Sequence, residues 1–553
     1  MVPPRALAAE PAQVAHGRDG MVVAQEARAA EIGAGILKRG GNAIDAAVAT
    51  GFALAVTYPR AGNVGGGGFM VIHLADGRRD IAIDYRETAP ALTTRDVFLD
   101  ENGEADPAKS REGGLAIGVP GTVAGLALAH ARYGSGRLSL ADLIEPAIRL
   151  ARDGIEIDGD IADTLSGARN LFARWPSSAK IFLKADNTPL APGDKLIQND
   201  LAATLEAIAK DGPRAFYDGP IAERIAAAVR EAGGRMTAAD LREYQALERE
   251  VVRGSYRGYD IVSMPPPSSG GVHLIEMLNI LEGYDLKRSG PESVETLHLM
   301  IEAMKRAYAD RAAFLGDPDF VSVPVKGLTS KRYAVALRDT VSRVRATPSS
   351  EVRPGTPAAY EGDNTTHFSV IDRFGNAVAN TYTLNLSYGT GLVAEGTGVL
   401  LNNELDDFAA KPGAPNAFGL IGGDANAPGP RKRPLSSMSP AIVLKDGAPV
   451  LVTGSPGGSR IITAVLQVVL NVLDHGMSVG EAVGAPRIHH QWMPDEVLVE
   501  PGFSEATLAG LRALGHNITQ RQPVTAANSI AVTPDGFVGA ADRRTRGSLA
   551  AGY

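Results

Sequence analysis

The sequence predicts an α+β body in which two antiparallel sheets pack together under a cover of helices. Three observations carry that expectation. Asp-Gly or Gly-Asn turns between β-branched runs mark four hairpins. One of these lies near the N-terminus and three lie in the last third of the chain. The stretch between them reads as helix, and strands so far apart in sequence fit two layered sheets covered by helices.

In chain order, helices are expected over 26–38 and 44–56, split by Gly40-Gly41, with Asn42 placed to cap the second. The first hairpin joins 69–74 to 80–85 through Asp76-Gly77. The second joins 367–371 to 377–383 near Gly375-Asn376, and the third joins 441–444 to 450–453 through Asp446-Gly447. The fourth joins 529–532 to 537–541 through Asp535-Gly536. Between the third and fourth, Leu451 to Arg460 reads strand, Gly-rich turn, then a helix from about Ile461. Backbone N–H groups freed at such a turn suit an oxyanion, although a plain tight turn explains the glycines equally well.

Composition narrows the function. The 553 residues carry 55 Lys and Arg against 63 Asp and Glu, and 44% are hydrophobic. Global disorder is excluded, and the acidic balance argues against nucleic acid, which needs clustered Lys and Arg. The apolar runs at 46–56 and 461–470 fall short of the about 20 residues that a membrane helix needs. Absence of cysteine removes thiolate nucleophiles, disulfides and Cys-held metal or iron–sulfur sites. Ala6-Leu7-Ala8 is like the small-residue end of a secretory cleavage site, which points to a trimmed export signal.

Several local motifs default to structural roles. Ser177-Ser178-Ala179-Lys180 matches S-x-x-K, but neither S-D-N nor K-T-G occurs, so a surface turn is expected. His489-His490 reads as a packed or hydrogen-bonded pair, and Asp317-Pro318-Asp319 and Asp406-Asp407 as capping and turn residues. Gly65 to Gly68 lacks the Lys-Ser/Thr of a phosphate loop, so close backbone packing is expected. The polar segment 345–364 contains Pro348, Pro354 and Pro357. It reads either as an interdomain linker or as the exposed loop of a self-cleaving precursor, because it stops abruptly at Thr365 before a β-forming run.

The segment Asn364-Thr365-Thr366-His367-Phe368-Ser369-Val370 resembles the processing site of the gamma-glutamyltransferase (gamma-glutamyltranspeptidase) family. Further family-like motifs follow family order: Asp84-Tyr85-Arg86-Glu87, Pro265 to Gly271, Asn402 to Phe408, Pro434 to Pro440 and Gly454 to Arg460. Together they cover the chain from about residue 20 to its end. The resemblance implies an N-terminal-nucleophile hydrolase, an αββα sandwich, which agrees with the two-sheet reading.

It also implies a chemistry. Cleavage between Asn364 and Thr365 would give a large subunit, 1–364, and a small subunit, 365–553, intertwined as a heterodimer. Thr365 would be the nucleophile, with its new α-amino group as base, since such a terminal amine ordinarily titrates at about 7.7–8.0. Thr383 would hydrogen-bond it, and Gly457 and Gly458 would hold the oxyanion. Family substrates such as glutathione carry an α-carboxylate and an α-ammonium on one carbon. The resemblance gives the carboxylate to Arg86, Ser436 and Ser437 and the ammonium to Asn385, Glu404 and Asp407. The acyl group would pass to water, an amino acid or a peptide, with no cofactor and no metal, in a periplasmic or secreted setting. Glu404 stands where relatives also have Gln, and Phe418 where they can have a lid tyrosine within 408–423. The rival within the fold is a cephalosporin (glutaryl) acylase. The rival outside it is a binding or scaffold protein that stays uncut.

Overall fold

The computed structural model describes residues 11–357 and 366–553. Ala6-Leu7-Ala8, Asn364 and Thr365 lie outside the described residues.

Fourteen strands build two seven-stranded sheets. In chain order they are β1 (Gln13–Gly17), β2 (Gly20–Ala24), β3 (Gly67–Leu74), β4 (Arg79–Tyr85), β5 (Leu247–Arg249), β6 (Val252–Tyr256) and β7 (Tyr259–Ser263). After the processing segment come β8 (Thr366–Asp372), β9 (Ala377–Thr383), β10 (Ala441–Lys445), β11 (Ala448–Thr453), β12 (Asn528–Thr533), β13 (Gly536–Ala541) and β14 (Leu549–Gly552). One sheet runs β1-β13-β12-β11-β10-β7-β6, the other β14-β2-β8-β9-β3-β4-β5. All neighbours are antiparallel. All four expected hairpins form.

Side-chain alternation sets the layers. Met21, Val23, Phe69 and Val71 point at Ile442, Leu444 and Val452 of the opposite sheet and make the middle of the sandwich. Val22, Met70 and Ile72 face the other way, into a core with helices α1 (Ala27–Lys38) and α2 (Ala43–Thr57). Val443 and Leu451 face α3 (Gly270–Leu281), α4 (Val294–Phe314) and α5 (Ile461–Leu473). The order is therefore helix, sheet, sheet, helix. Asn42 caps α2 through Ile44 and Asp45, and every residue of α2 is buried, which accounts for the apolar run at 46–56. No helix of the described residues is long and apolar enough to cross a membrane.

Two expectations are corrected. Ser177 to Lys180 is no surface turn but part of the helix Pro176–Phe182. Ser178 is fully buried and accepts the Val393 N–H at 2.8 Å, and the Ser177 hydroxyl donates to Val393 O at 2.7 Å, so the motif braces a loop. The described part of segment 345–364 is not a free linker. Thr347 N donates to Glu302, Lys305 donates to Thr347 O, Ser349 N donates to Asp495 at 2.8 Å and Gly355 N donates to Asp310 at 2.6 Å. Polar residues without periodicity are here tied down largely by a buried row of charges on α4.

Candidate active site

The glycine-rich turn between α2 and β3 brings three segments into contact. A Cβ on Gly66 would lie 1.9 Å from Thr383 O, and one on Gly67 2.7 Å from Glu87, so these glycines serve close packing, as expected. Asn63 fastens the arrangement, donating to Thr383 O at 2.8 Å and accepting Gly66 N at 2.8 Å.

β4 ends at Tyr85 and delivers Arg86 and Glu87 to a fully buried cluster. Arg86 donates to Glu404 through Nη1, to Asp407 through Nη2 at 2.6 Å and to Pro434 O through Nε at 3.1 Å. Its fork is thus held by two of the residues assigned to the ammonium. Glu404 and Asp407 share the one-turn helix Glu404–Asp407, which Asn402 anchors by accepting Gly118 N and Glu404 N and donating to the carbonyls of Gly65 and Gly118. Glu87 lies against both Arg86, at 3.9 Å, and Glu404. Burial pushes the Glu404 carboxyl well above the ordinary carboxylate range and that of Glu87 up to about 7, against the pull of Arg86.

β8 begins at Thr366, which pairs with Tyr382, and Thr383 is the next residue of β9. The Thr383 hydroxyl accepts Asn385 N at 2.9 Å, and Asn385 takes φ +72°, a turn that sends its amide to Asn403 O at 2.9 Å, beside Glu404. His367 is buried between Thr381 and Ser369, and burial pushes its imidazole down to about 3, so it is a neutral strut.

Ser436 sits at a backbone bridge to Ser268, its N–H donating to Pro267 O at 3.1 Å. Ser437 is fully buried. Its Oγ, Asn385 Oδ1 and Glu404 Oε2 find no hydrogen-bond partner among the described groups. A buried hydroxyl and two buried acceptors are costly unless a ligand completes them.

Gly457 (φ +131°) and Gly458 (φ +63°) form the turn between β11 and α5. A Cβ on Gly458 would strike the Phe418 ring at 2.6 Å, and one on Gly457 would strike Thr525 at 2.6 Å. The first helical bond in this turn is Arg460 N to Gly457 O, so the Gly457 and Gly458 N–H groups precede the helix's own ladder. Both glycines line a cleft of about 520 Å³ with Thr383, Asn385 and Phe418. Phe418 belongs to a turn in which Asn416 accepts Phe418 N and donates to Asp407 at 3.2 Å. Asp406 accepts Ala417 N at 2.9 Å and Arg111 at 3.0 Å, which keeps it in a structural role.

His489 bonds Thr463 and Gln491, and His490 bonds Asp495; neither is placed at the cleft. Asp317 accepts Arg433 N, and Asp319 pairs with Arg249, as turn residues. Reasoning from sequence gave no role to Glu87, Asn63 or Asn402. Glu87 directly follows Arg86, yet only the fold reveals that it meets Glu404, 317 positions on.

Residues 29–552 match the family described as Gamma-glutamyltranspeptidase. The chain is 54% identical to a glutathione hydrolase proenzyme of Escherichia coli, over 97% of this chain and 92% of that protein. It is 40% identical to the acylase ACY 1 proenzyme of a Pseudomonas species, over 97% of this chain and 94% of that one. Among solved structures, the cephalosporin acylase from Bacillus halodurans superposes with a TM-score of 0.87 at 28% identity, covering 100% of this chain and 99% of its own.

Proposed function

The chain belongs to the gamma-glutamyltranspeptidase family, and from that premise we propose a self-processing γ-glutamyltransferase and glutathione hydrolase that uses Thr365 as its nucleophile. The observation that carries the donor assignment is the buried cluster of Arg86 with three carboxyls, Glu87, Glu404 and Asp407, beside unpaired Ser437, Asn385 and Glu404 atoms. A γ-glutamyl group presents a carboxylate and an ammonium on one carbon. It can enter by exchanging partners, its carboxylate taking Arg86 and Ser437 while its ammonium takes Glu404, Asp407 and Asn385. Ser436 supports the carboxylate side.

The chemistry then runs in two halves. The Thr365 Oγ–H bond gives its proton to the α-amine as Oγ attacks the γ-carbonyl carbon. Gly457 and Gly458 N–H groups stabilise the oxyanion, and Thr383 orients the hydroxyl. The C–N bond breaks, the proton leaves on the departing amine, and water or an acceptor amine attacks the ester to restore Thr365. The same hydroxyl first attacks the Asn364 carbonyl. The C–N bond to Thr365 breaks as an ester to Thr365 Oγ forms, and the α-amine takes the proton. Water then hydrolyses that ester to separate 1–364 from 365–553.

A glutaryl group has no ammonium, so it would leave the carboxyl excess of this site unanswered; this sets the reading apart from a cephalosporin acylase. Hydrolysis of a γ-glutamyl anilide should therefore exceed that of a glutaryl anilide, and the opposite order would replace the proposed donor. The preference should also depend on pH. As the pH falls through about 7 the Glu87 carboxyl takes up a proton, and the cluster loses one negative charge that answers the ammonium. The γ-glutamyl to glutaryl ratio of kcat/KM should then fall by up to about tenfold per pH unit, a one-proton linkage. Titration of the nucleophile cancels in that ratio.

Ala6-Leu7-Ala8 and the family resemblance support a periplasmic or secreted enzyme acting on extracellular γ-glutamyl compounds. Cell fractionation should place activity outside the cytosol; activity confined to the cytosol would refute this.

A further inference from the structure

We infer that the part of the cleft around Arg460 is a carboxylate subsite, which selects leaving groups and acceptors that end in a carboxylate. The inference rests on the γ-glutamyl reading above and extends it from the donor's acyl half to the group on the other side of the scissile bond.

The cleft's charged lining is cationic, and the carboxyl-rich cluster lies behind it rather than on its wall. Its inner wall leads through Asn385 to the carboxyl-rich cluster at Arg86. Its lining includes Arg60, Arg460 and Arg544 but no Asp or Glu among the described residues. These three guanidinium groups are not equivalent. Arg544 is spent on Glu500 at 2.7 Å, Asp542 at 3.0 Å and two backbone carbonyls. Arg60 reaches Asp160 at 3.5 Å and lies over the Tyr58 ring. Arg460 makes no ion pair and no side-chain hydrogen bond with any described residue; the strongest charge acting on it, Arg521, is another cation, and Glu500 and Glu496 act on it more weakly and without contact. A half-buried guanidinium without a direct ion pair gains from an anion that contacts it.

Its position identifies which anion. Arg460 closes the one-turn helix Gly458–Arg460, so it follows directly on the turn proposed to hold the oxyanion. The carbonyl being attacked faces that turn, with the donor's charged head at the Arg86 end. What remains near Arg460 is the amine side: the departing fragment in the first half-reaction and the incoming acceptor in the second. An amino acid or short peptide in that place carries a carboxylate a few bonds from its nitrogen, and a planar guanidinium fork fits it in two-point contact. The two ends of the cleft then match a donor with ammonium inside and carboxylate outside.

The test compares glutathione with its C-terminal glycine amide, identical except that the carboxylate is replaced by a neutral amide. In the wild-type enzyme kcat/KM should favour the acid by roughly 10- to 100-fold, the range of a hydrogen-bonded charge contact. That preference should shrink at high salt. In Arg460→Gln the acid-to-amide ratio should fall toward one, whatever happens to the absolute rates, and Arg460→Lys should restore part of it. A loss shared equally by both substrates would mean that Arg460 only shapes the turn, and would overturn the subsite. So would a wild-type enzyme that treats acid and amide alike, a result that needs no folded variant. The γ-glutamyl anilide, whose leaving group has no carboxylate, reports the donor reading separately: its hydrolysis together with equal acid and amide rates removes the subsite and leaves the donor assignment standing.

Discussion

Thr365→Ala should yield a single uncut chain of 553 residues with no γ-glutamyl turnover and an undiminished fold. The substitution removes the one hydroxyl proposed both for attack on Asn364 and for attack on substrate, so it abolishes two functions with one atom. The wild-type chain should separate into 364 and 189 residues, and Edman sequencing of the smaller should read Thr-Thr-His-Phe-Ser. Thr365→Ser keeps a hydroxyl and should still cut. The two pieces should remain together after cutting, because their strands alternate across both sheets. The small piece supplies β8, β9 and β14 to a sheet whose other strands, β2 to β5, come from the large one. In the other sheet β10 pairs with β7, and β13 with β1. Neither piece can bury its faces alone. Cleavage of Thr365→Ala at the same bond without added protease would end the N-terminal-nucleophile mechanism proposed here.

Asp407→Asn should cut itself normally yet lose most γ-glutamyl turnover. Asp407 is buried and meets Arg86 Nη2 at 2.6 Å, so the variant disturbs an internal charge balance and removes one proposed ammonium partner. Truncating a buried charge partner costs about 2–5 kcal/mol, which corresponds to roughly 30-fold to several-thousand-fold in kcat/KM. Self-cleavage needs no ammonium recognition and should proceed. Asp407 also accepts the Asn416 amide at 3.2 Å, which ties it to the turn carrying Phe418. Asn416→Ala separates the two effects: an equal loss there would assign the defect to that turn and take Asp407 out of donor recognition.

Much of the sandwich was legible because its central strands announce themselves locally. β3 and β4, β8 and β9, β10 and β11, and β12 and β13 are each joined by turns whose Gly, Asp or Asn residues mark them. Other strands carry no such mark. The turn between β6 and β7 uses Arg257 (φ +48°) and Gly258 (φ +80°), a left-handed pair like Asp446 (φ +52°) and Gly447 (φ +79°), but Arg does not signal it. Leu549-Ala-Ala-Gly552 has no β-branched residue and becomes β14 only by pairing with β2. Ser177 to Lys180 read as surface because Ser and Lys favour it, and the burial of Ser178 depends on a loop more than 200 positions away.

The same division runs through the site. By itself the sequence determined the turn chemistry, the absence of any thiol, the segment at Asn364-Thr365 and the kinds of side chain available for a zwitterionic donor. These are properties of residues and their near neighbours, and periodicity and turn preference record them. Only the tertiary structure decided that Arg86 is shared between Glu404 and Asp407, that Glu87 joins them, and that Arg460 stands in the cleft without an ion pair among the described residues. Those facts are sums of burial and distance over segments hundreds of residues apart. A carboxyl's charge state follows from the water it has lost and the charges it meets, and neither is written in its neighbours along the chain.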